Sequence, residues 1–320
     1  MGKIVSLGEV VADVYREDTS SEVEMPFTAR PGGAPANVAV AAAKLGAEAA
    51  FVGSLGDDLF GRFVLRSLEV AGVDASAAVR RASPARTTLA FVEVSEEGDR
   101  EFTFYRSEPA ADELLSEGDV RPEALSGASF ASVGSISLSK EPVSSATLRF
   151  AELAAQMGVP VALDVNFREH LRGGAAAARE AVDPLFDLAT VVKLADDELE
   201  PILGVRDPEA AADSLLARSA HLVLVSMGRK GAFYATRTFG GALPSFEIDG
   251  AVDATGAGDA FFAAALVHLS GRPGWPSDEA TVREAVRRGA AAGALACTDY
   301  GAMRALPTGE GLERFLGGRT

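Results

Sequence analysis

Short, continuously apolar segments alternate with longer alanine-rich segments along almost the whole chain of 320 residues. A short continuous apolar run is typical of a strand that is buried on both faces, and such strands occur in parallel sheets covered by helices. The pattern predicts strands at 4–7, 49–52, 130–133, 161–163, 191–193 and 222–225. It predicts helices at 36–45, 60–71, 144–156, 175–188, 208–218, 258–269 and 278–296. We therefore expect an α/β fold with a parallel sheet and with functional loops at the carboxyl ends of its strands.

Two segments, 11–29 and 82–105, interrupt this alternation with shorter β-like patterns in which polar residues are interleaved. Residues 88–94 and 101–105 are extended in character, and residues 96–99 between them are typical of a turn. These segments predict a hairpin within a small accessory sheet, which could act as a lid, dimerise, or do both. We expect a lid formed by residues 11–29 and 82–106, and a core formed by residues 1–10, 30–81 and 107–320.

Composition excludes several classes of function. The formal net charge of −16 argues against binding to nucleic acid or to an anionic membrane surface. The three histidines have no partner at metal-ligand spacing, which argues against zinc chemistry. No apolar run is long enough to span a bilayer, and the N-terminus lacks the pattern of a signal peptide. The single cysteine, Cys297, fits a cytoplasmic protein and is expected to be a small buried residue.

Residues 253–259 read Asp-Ala-Thr-Gly-Ala-Gly-Asp and directly precede an apolar run that predicts a buried helix. The N-terminus of a helix exposes unpaired N–H groups with partial positive charge, and glycines let an anion approach the backbone closely. Asp259 at that position could accept a proton, so the segment suits the transfer of a phosphoryl group to a hydroxyl. The same pattern is also typical of an ordinary helix start capped by aspartate, and the motif alone leaves both interpretations open.

A second glycine-containing segment, residues 30–37, reads Arg-Pro-Gly-Gly-Ala-Pro-Ala-Asn before another predicted helix. Such a loop could hold a polyhydroxylated ligand, although it also suits a simple helix start. Motifs for a P-loop, a complete dinucleotide fingerprint and a hydrolase nucleophile elbow are absent. A phosphate-binding enzyme with another kind of anion site remains.

Taken together, residues 32–37, residues 53–61 and residues 253–259 resemble the ribokinase-like (PfkB) carbohydrate kinases, in the same order and over nearly the whole chain. The resemblance implies a ribokinase-like three-layer α/β/α domain with a mostly parallel central sheet and a small β-sheet lid. Within that family the chain is most similar to fructokinases, through residues 102–106, 111–112, 134–138, 164–168, 192–198, 301–302 and 306–307. This similarity to fructokinases implies a kinase that uses ATP and Mg²⁺ to phosphorylate the terminal hydroxyl of fructose, giving fructose 6-phosphate.

Three alternatives stay open. Kinases for 2-keto-3-deoxygluconate and for aminoimidazole riboside share many of the residues that make the chain similar to fructokinases. A catalytically silent sugar sensor on a kinase scaffold is the alternative that is not an enzyme. From the predicted accessory sheet we also expect a homodimer that forms through the lid.

The resemblance assigns the chemistry to residue types that suit it. Asp259 is the implied general base, and the backbone of Gly256, Ala257 and Gly258 is the implied anion hole. Asp13, Gly32, Gly33 and Asn37 are implied to bind the sugar. Arg106 and Arg168 are implied to contact either the phosphates of ATP or the carboxylate of an acidic sugar.

The remaining implied residues bind the nucleotide and the metal ions. The nucleotide set is Asn166, Lys193, Ser226, Gly228 and Gly231. Glu198 is implied to hold Mg²⁺ through water, although Ala195 stands where the common family pattern has asparagine. The set implied for a monovalent cation, K⁺, is Asp253, Thr255, Ala296, Asp299 and Gly301.

Overall fold

The computed structural model describes residues 1–17, 21, 23–94, 100–167, 174–248 and 250–318. Its strands are β1 (Lys3–Leu7), β2 (Val11–Arg16), β3 (Phe27–Gly32), β4 (Glu48–Val52), β5 (Ser54–Gly56), β6 (Val73–Asp74), β7 (Val79–Arg81), β8 (Leu89–Val94), β9 (Arg100–Tyr105), β10 (Ala128–Gly134), β11 (Val161–Asp164), β12 (Ala189–Ala195), β13 (Leu222–Ser226), β14 (Ala232–Ala235) and β15 (Gly240–Leu243). Its helices are α1 (Ala34–Lys44), α2 (Leu59–Val70), α3 (Val143–Gln156), α4 (Ala175–Phe186), α5 (Leu199–Leu203), α6 (Pro208–Leu216), α7 (Ala257–Leu269), α8 (Glu279–Ala296), α9 (Ala302–Ala305) and α10 (Gly309–Gly317).

A large sheet forms the centre of the fold, with the strand order β15-β14-β13-β12-β11-β10-β1-β4-β6. The strands from β13 to β6 are parallel, and β14 and β15 join the end of the sheet in antiparallel pairing. The six strands that the apolar runs predict all belong to the parallel part. This confirms the mostly parallel α/β fold.

Helices cover both faces of the large sheet, as β1 illustrates. Ile4 packs into a hydrophobic cluster with residues of α1, α7 and α8, whereas Val5 and Leu7 pack into a second cluster with residues of α3, α4 and α6. Because successive residues of a strand point to opposite faces, an uninterrupted apolar strand fills both clusters at once. The result is the three-layer α/β/α arrangement expected from the sequence. No helix in the described ranges is long and apolar enough to cross a membrane.

A separate four-stranded sheet has the order β3-β2-β8-β9. Strand β2 pairs antiparallel with β3 and parallel with β8, and β8 pairs antiparallel with β9. The expected hairpin and small sheet are therefore present, while the turn expected at 96–99 lies outside the described residues. Strand β3 continues to Gly32, three residues past the predicted lid boundary at 29, because Gly32 still pairs with Val11.

Several elements were not anticipated from the sequence. The edge strand β15 contains two glycines and is partly exposed, so it lacks the apolar run that marks a buried strand. Helices α5 and α9 span only five and four residues. Such short elements carry too few periods of an apolar pattern to be recognised.

Candidate active site

The N-terminus of α7 forms the centre of the candidate site. Gly256 precedes the helix in a left-handed conformation, with φ of +82°, and a Cβ on it would lie 3.0 Å from the Cβ of Ala302. The amide of Ala257 already donates to the carbonyl of Ala254 at 3.1 Å. In the first turn, the amides of Gly258 and Asp259 have no acceptor within the helix. Of the implied set Gly256, Ala257 and Gly258, the amide of Ala257 is therefore already engaged by the protein, whereas the amide of Gly258 has no acceptor within the helix.

A buried hydrogen bond joins this helix start to the second glycine segment. Asn37 Nδ2 donates to Asp259 Oδ2 at 2.7 Å, and both side chains are buried. Asn37 stands in the first turn of α1, after Pro35 and after Gly33, whose φ of +104° suits only glycine without strain. The two motifs, 222 residues apart in the chain, therefore meet at one carboxylate.

Asp13 lies in β2 and is buried beside this pair. A Cβ on Gly32 would come within 2.2 Å of Asp13 Oδ2, so only glycine leaves room for the carboxylate there. Burial, followed by the negative charges of Asp253 and Asp259, raises the pKa of Asp13 to about 7. The site thus collects acidic groups around the position expected for the acceptor.

Arg106 follows β9 and is already paired with protein carboxylates. Its Nη1 lies 2.9 Å from Asp112 Oδ2 and 3.1 Å from Glu113 Oε1. The guanidinium also stacks over the ring of Phe104, with 5.4 Å to the ring centroid. Two acids therefore neutralise Arg106. Arg168, which the sequence grouped with it, lies outside the described residues.

Glu9 is a site residue that the sequence analysis missed. It lies between β1 and β2, only 5% exposed, and its Oε2 has no hydrogen-bond partner in the described part of the chain. Burial raises the pKa of Glu9 to about 7, and the charges of Asp112 and Asp259 act in the same direction. The available signal was a lone carboxylate directly after a buried strand, at the sheet edge where functional loops gather.

Lys193 and Asp164 form a buried ion pair beside the helix start. The register of β11 and β12 places them opposite each other, with Lys193 Nζ 2.9 and 3.1 Å from the two carboxylate oxygens. Burial by itself would lower the pKa of Lys193, but Asp164, Glu198 and then Asp259 raise it overall. A Cβ on Gly258 would lie 3.0 Å from Lys193 Nζ, so the ammonium group lies next to the N-terminus of α7.

Glu198 lies just after β12, near Lys193. Its two carboxylate oxygens accept hydrogen bonds from the amides of Phe167 at 2.6 Å and Ala195 at 2.8 Å. Burial raises the pKa of Glu198, and Lys193 opposes that shift. Within the described ranges no group of three or more His, Cys, Asp or Glu side chains could hold a metal ion. A single carboxylate such as that of Glu198 could hold Mg²⁺ only if the ion kept most of its waters and was also bound by the phosphates of a ligand.

The loop after β13 has the shape expected of a close backbone turn. Ser226 ends the strand, Gly228 and Gly231 have φ of +53° and +102°, and the amide of Met227 donates to the carbonyl of Gly231 at 2.8 Å. A Cβ on Gly231 would lie 1.9 Å from the carbonyl oxygen of Leu243, so glycine is required. Asn166 follows β11 in a left-handed conformation, two strands away.

Asp253 ties the α7 motif to the loop that follows α8. Its Oδ1 accepts from the amide of Thr255 at 2.7 Å and its Oδ2 from the amide of Gly301 at 2.8 Å. Thr255 Oγ1 is buried without a hydrogen-bond partner in the described part of the chain. The carboxylate of Asp299 lies 3.0 Å from Arg304 Nε, so its side chain is engaged in an ion pair. An unpartnered hydroxyl next to a carboxylate fits a small cation.

Ala296, the last implied residue of the cation set, ends α8 and is fully buried. It directly precedes Cys297, whose carbonyl accepts from the amides of Val252 and Asp253 at 2.9 and 3.4 Å. Backbone hydrogen bonds therefore hold the end of α8 against the start of the 253–259 motif.

Comparison with known proteins identifies what the chain is similar to. A model of the pfkB family carbohydrate kinases matches residues 1–309. Fructokinase-1 from Oryza sativa subsp. japonica is 42% identical over 308 residues, which cover 95% of this chain and 94% of that protein. The crystal structure of fructokinase with bound ATP from Xylella fastidiosa is 33% identical, with a TM-score of 0.87 and coverage of 99% of this chain and 98% of that one.

A second solved structure is a double mutant of fructokinase from Vibrio cholerae O395 in fructose, ADP and potassium ion bound form. It is 32% identical to this chain, with a TM-score of 0.87 and coverage of 99% of this chain and 98% of that one. Both similarities extend over the large and the small sheet, since they cover nearly every residue.

Proposed function

The chain belongs to the PfkB family of carbohydrate kinases, and on that premise we propose that it transfers the γ-phosphoryl group of ATP to the terminal hydroxyl of fructose. The products are fructose 6-phosphate and ADP. The observation that carries this proposal is the 2.7 Å hydrogen bond between Asn37 and Asp259, because it joins a sugar-binding loop to a base at a helix N-terminus. Fructokinases from rice and from Xylella fastidiosa, the latter with bound ATP, support the choice of both substrates.

The proposed reaction is a direct displacement at the γ-phosphorus. The acceptor oxygen forms a bond to phosphorus, the bond between phosphorus and the bridging oxygen of ADP breaks, and Asp259 accepts the hydroxyl proton. Because phosphoryl transfer is largely dissociative, little activation of the hydroxyl is needed early in the reaction. Asn37 holds the carboxylate of Asp259 in place through its amide group.

Positive groups at the N-terminus of α7 would stabilise the negative charge on the transferred phosphoryl group. The amides of Gly258 and Asp259 point out of the helix start, and the ammonium of Lys193 lies beside Gly258. Such donors are in place before the reaction, so they need no reorganisation as charge develops. Asp164 holds Lys193 in that position through both of its carboxylate oxygens.

Mg²⁺ and K⁺ belong to the proposal as ligands of particular residues. Glu198 would hold hydrated Mg²⁺, which supplies charge neutralisation to the phosphates. Thr255 Oγ1, the carboxylate of Asp253 and carbonyls of the loop after α8 would hold K⁺. The buried, unpartnered hydroxyl of Thr255 supports this assignment, and so does the potassium ion bound form of a Vibrio cholerae fructokinase mutant.

The charges around Arg106 favour a neutral sugar over 2-keto-3-deoxygluconate. An acidic sugar would need a free guanidinium to pair with its carboxylate. Asp112 and Glu113 already pair with Arg106, and Glu9 lies in the same cluster. A substrate carboxylate would add another negative charge to this group without a new positive partner. Fructose brings only hydroxyls.

A panel of acceptors with purified protein tests the proposal. The acceptors are fructose, 2-keto-3-deoxygluconate, aminoimidazole riboside and ribose, each with ATP and Mg²⁺. We expect the highest kcat/KM with fructose, and a product that phosphoglucose isomerase and glucose 6-phosphate dehydrogenase convert further. Faster turnover of another acceptor would refute the choice of substrate. Sugar binding without turnover of any acceptor would favour the sensor alternative.

The small sheet supports a proposal of homodimerisation through the lid. Its Phe27, Phe91 and Tyr105 form an aromatic row, with ring centroids 5.4 and 4.8 Å apart. Phe27 is 45% exposed and Tyr105 is 61% exposed, so this row places exposed aromatic rings on the small sheet. Light scattering should show a dimer for the wild type and a monomer for Phe27→Glu. Met157→Glu is the control, because Met157 in the large domain is also 45% exposed.

The single cysteine supports a location in the reducing cytoplasm. We propose that location for the enzyme, and fractionation of cells that produce it provides the check.

A further inference from the structure

We propose that Arg30 is a positioning residue that couples strand β3 of the small sheet to the monovalent cation site, through the peptide group between Tyr300 and Gly301. Its consequence is that the cation and the sugar strengthen each other's binding. This inference rests on the proposed function, since it concerns the K⁺ and the sugar of that proposal.

Arg30 connects the small sheet to the loop that follows α8. Its Nη1 donates a hydrogen bond to the carbonyl of Tyr300. The guanidinium also lies over the ring of Tyr15 in β2, with its Cζ 5.1 Å from the ring centroid. A Cβ on Gly301 would come within 2.6 Å of Arg30 Cδ, so glycine is needed for the arginine side chain to lie this close to the loop.

The peptide group between Tyr300 and Gly301 is held on both sides. Its carbonyl accepts the hydrogen bond from Arg30, and its amide, that of Gly301, donates to Asp253 Oδ2 at 2.8 Å. Because a peptide group is planar, the carbonyl and the amide cannot turn independently. Gly301 has φ of +83°, and glycine also permits negative φ, so the backbone alone does not fix this orientation. Arg30 and Asp253 therefore fix it together.

Asp253 carries this effect to the cation site and to the start of α7. Its other oxygen, Oδ1, accepts from the amide of Thr255 at 2.7 Å. Thr255 Oγ1 is the buried hydroxyl that has no hydrogen-bond partner in the described part of the chain. The orientation of the Tyr300–Gly301 peptide thus determines how the carboxylate of Asp253 is held beside the proposed K⁺ ligands.

Strand β3 carries the same effect to the sugar. Arg30 lies directly opposite Asp13 in the antiparallel pair of β2 and β3, so both side chains are on one face of the small sheet. Gly32, two residues later, leaves the room that the carboxylate of Asp13 occupies. A sugar bound to Asp13 and Gly32 restricts the motion of this strand pair, so Arg30 then holds the peptide at a lower cost in entropy.

Coupling between two binding sites is reciprocal, so K⁺ should increase the affinity for fructose by the factor by which fructose increases the affinity for K⁺. Calorimetry with fructose, in K⁺ and in tetramethylammonium, measures this factor without turnover. The wild type should bind fructose at least about fivefold more tightly in K⁺. Arg30→Met should bind fructose equally in the two salts, and Arg30→Lys, which keeps a cationic donor, should recover part of the difference.

Arg16→Met is the matched control, because Arg16 is an exposed arginine at the end of β2 in the same sheet. It removes the same charge from the small sheet but no contact with the loop after α8. It should keep the wild-type difference between the two salts. Equal loss in Arg16→Met and Arg30→Met would assign the effect to the charge of the sheet and would overturn the role of the peptide.

Hydrogen exchange without cation or sugar separates a positioning role from a structural one. The fragment that contains Gly301 should exchange faster in Arg30→Met than in the wild type, because its peptide loses one of two fixed contacts. The large sheet should exchange at the wild-type rate, and the melting temperature should change little, since Arg30 is partly exposed on an edge strand. Faster exchange throughout the large sheet with a lower melting temperature would show a structural role and overturn the proposal.

Failure of this inference is distinct from failure of the proposed function. If the wild type binds fructose equally in both salts, or if Arg30→Met keeps the wild-type difference, Arg30 does not couple the two sites. Phosphorylation of fructose by the same wild-type protein would still support the proposed function. If the wild type phosphorylates no fructose at all, the proposed function itself is refuted.

Discussion

The two ends of the candidate site differ in how completely the protein satisfies its own polar groups. At the phosphoryl end, formed by Asp164, Lys193 and Glu198, each charged side chain has a protein partner within 3.1 Å. At the acceptor end, formed by Glu9, Asp13, Asn37 and Arg106, buried oxygens and a nitrogen lack hydrogen-bond partners in the described part of the chain.

This difference indicates that one end of the site stabilises charge in the reaction and that the other end selects the acceptor. A site that is satisfied before the ligand arrives can stabilise developing charge without rearrangement. A site with unpaired buried groups selects a ligand that pairs them and rejects one that does not. Changes at the phosphoryl end should therefore reduce kcat and stability, whereas changes at the acceptor end should mainly alter KM.

Asp259, where the two ends meet, should give the largest effect. We expect Asp259→Asn to lower kcat by about 10²- to 10⁴-fold, the usual contribution of a positioned acid or base. Fructose binding, measured by calorimetry, should persist because the amide keeps the shape of the carboxylate. Asp278→Asn is the control, because Asp278 lies at the start of another helix, where it caps α8, and asparagine caps equally well. Equal loss of activity in both variants would contradict a special role for Asp259.

The Lys193–Asp164 pair provides a sharp test of the phosphoryl end. Lys193→Met should lower kcat and cost about 3–5 kcal/mol of unfolding free energy, since it leaves Asp164 charged and buried. Adding Asp164→Asn should restore much of the stability and none of the activity. Urea unfolding and steady-state kinetics measure the two quantities.

The exposed Arg206–Glu200 pair, 2.8 Å apart, serves as the control for this comparison. Arg206→Met should cost no more than about 1 kcal/mol, the usual limit for an exposed pair. If the double variant Lys193→Met/Asp164→Asn is as unstable as the single one, the ion pair is not the reason for the loss.

At the acceptor end, the raised pKa of Asp13 predicts opposite pH dependence for activity and stability. As pH rises through about 7, Asp13 ionises and can accept sugar hydroxyls, so kcat/KM for fructose should increase. Between 3.8, the ordinary pKa, and about 7, the native state binds more protons than the unfolded state. The unfolding free energy should therefore fall as pH rises across that window, and Asp13→Asn should flatten the curve. An unchanged curve in that variant would assign the protons to other groups.

The smallest expected effect concerns the cation next to the phosphoryl end. Replacing K⁺ by tetramethylammonium should lower kcat by roughly fivefold or more, the lower end of typical coupling between two sites. Thr255→Val should reduce this dependence, because it removes the buried hydroxyl. Wild-type kinetics that do not respond to the cation would show that Asp253 only caps its turn.

Much of the fold could be predicted because its signals are local. The apolar runs placed the six central strands, and the predicted helix 258–269 agrees to within one residue with α7. Elements at the edge of the sheet, such as β15, were not predicted because they are short and half-exposed. The pairing of β2 with β8, which closes the small sheet, depends on contacts that no local pattern records.

The candidate site shows the same limit. Asp259 and Asn37 could be predicted as site residues because each lies in a glycine-containing segment, and glycine in such a segment indicates a tight turn or a close approach of the backbone. Glu9 and Asp164 were missed because a single acid in a sequence looks the same whether it is solvated or buried.

By itself the sequence determined the parallel sheet, the two glycine motifs and the family, because apolar periodicity and glycine spacing are properties of neighbouring residues. Only the tertiary structure decided that Arg106 is paired with two acids, that Lys193 lies at the N-terminus of α7 and that Glu9 Oε2 has no hydrogen-bond partner in the described part of the chain. Each of these depends on distances between residues far apart in the chain. Whether a charge is paired or left for a ligand is settled by burial and proximity, which arise only when the chain folds.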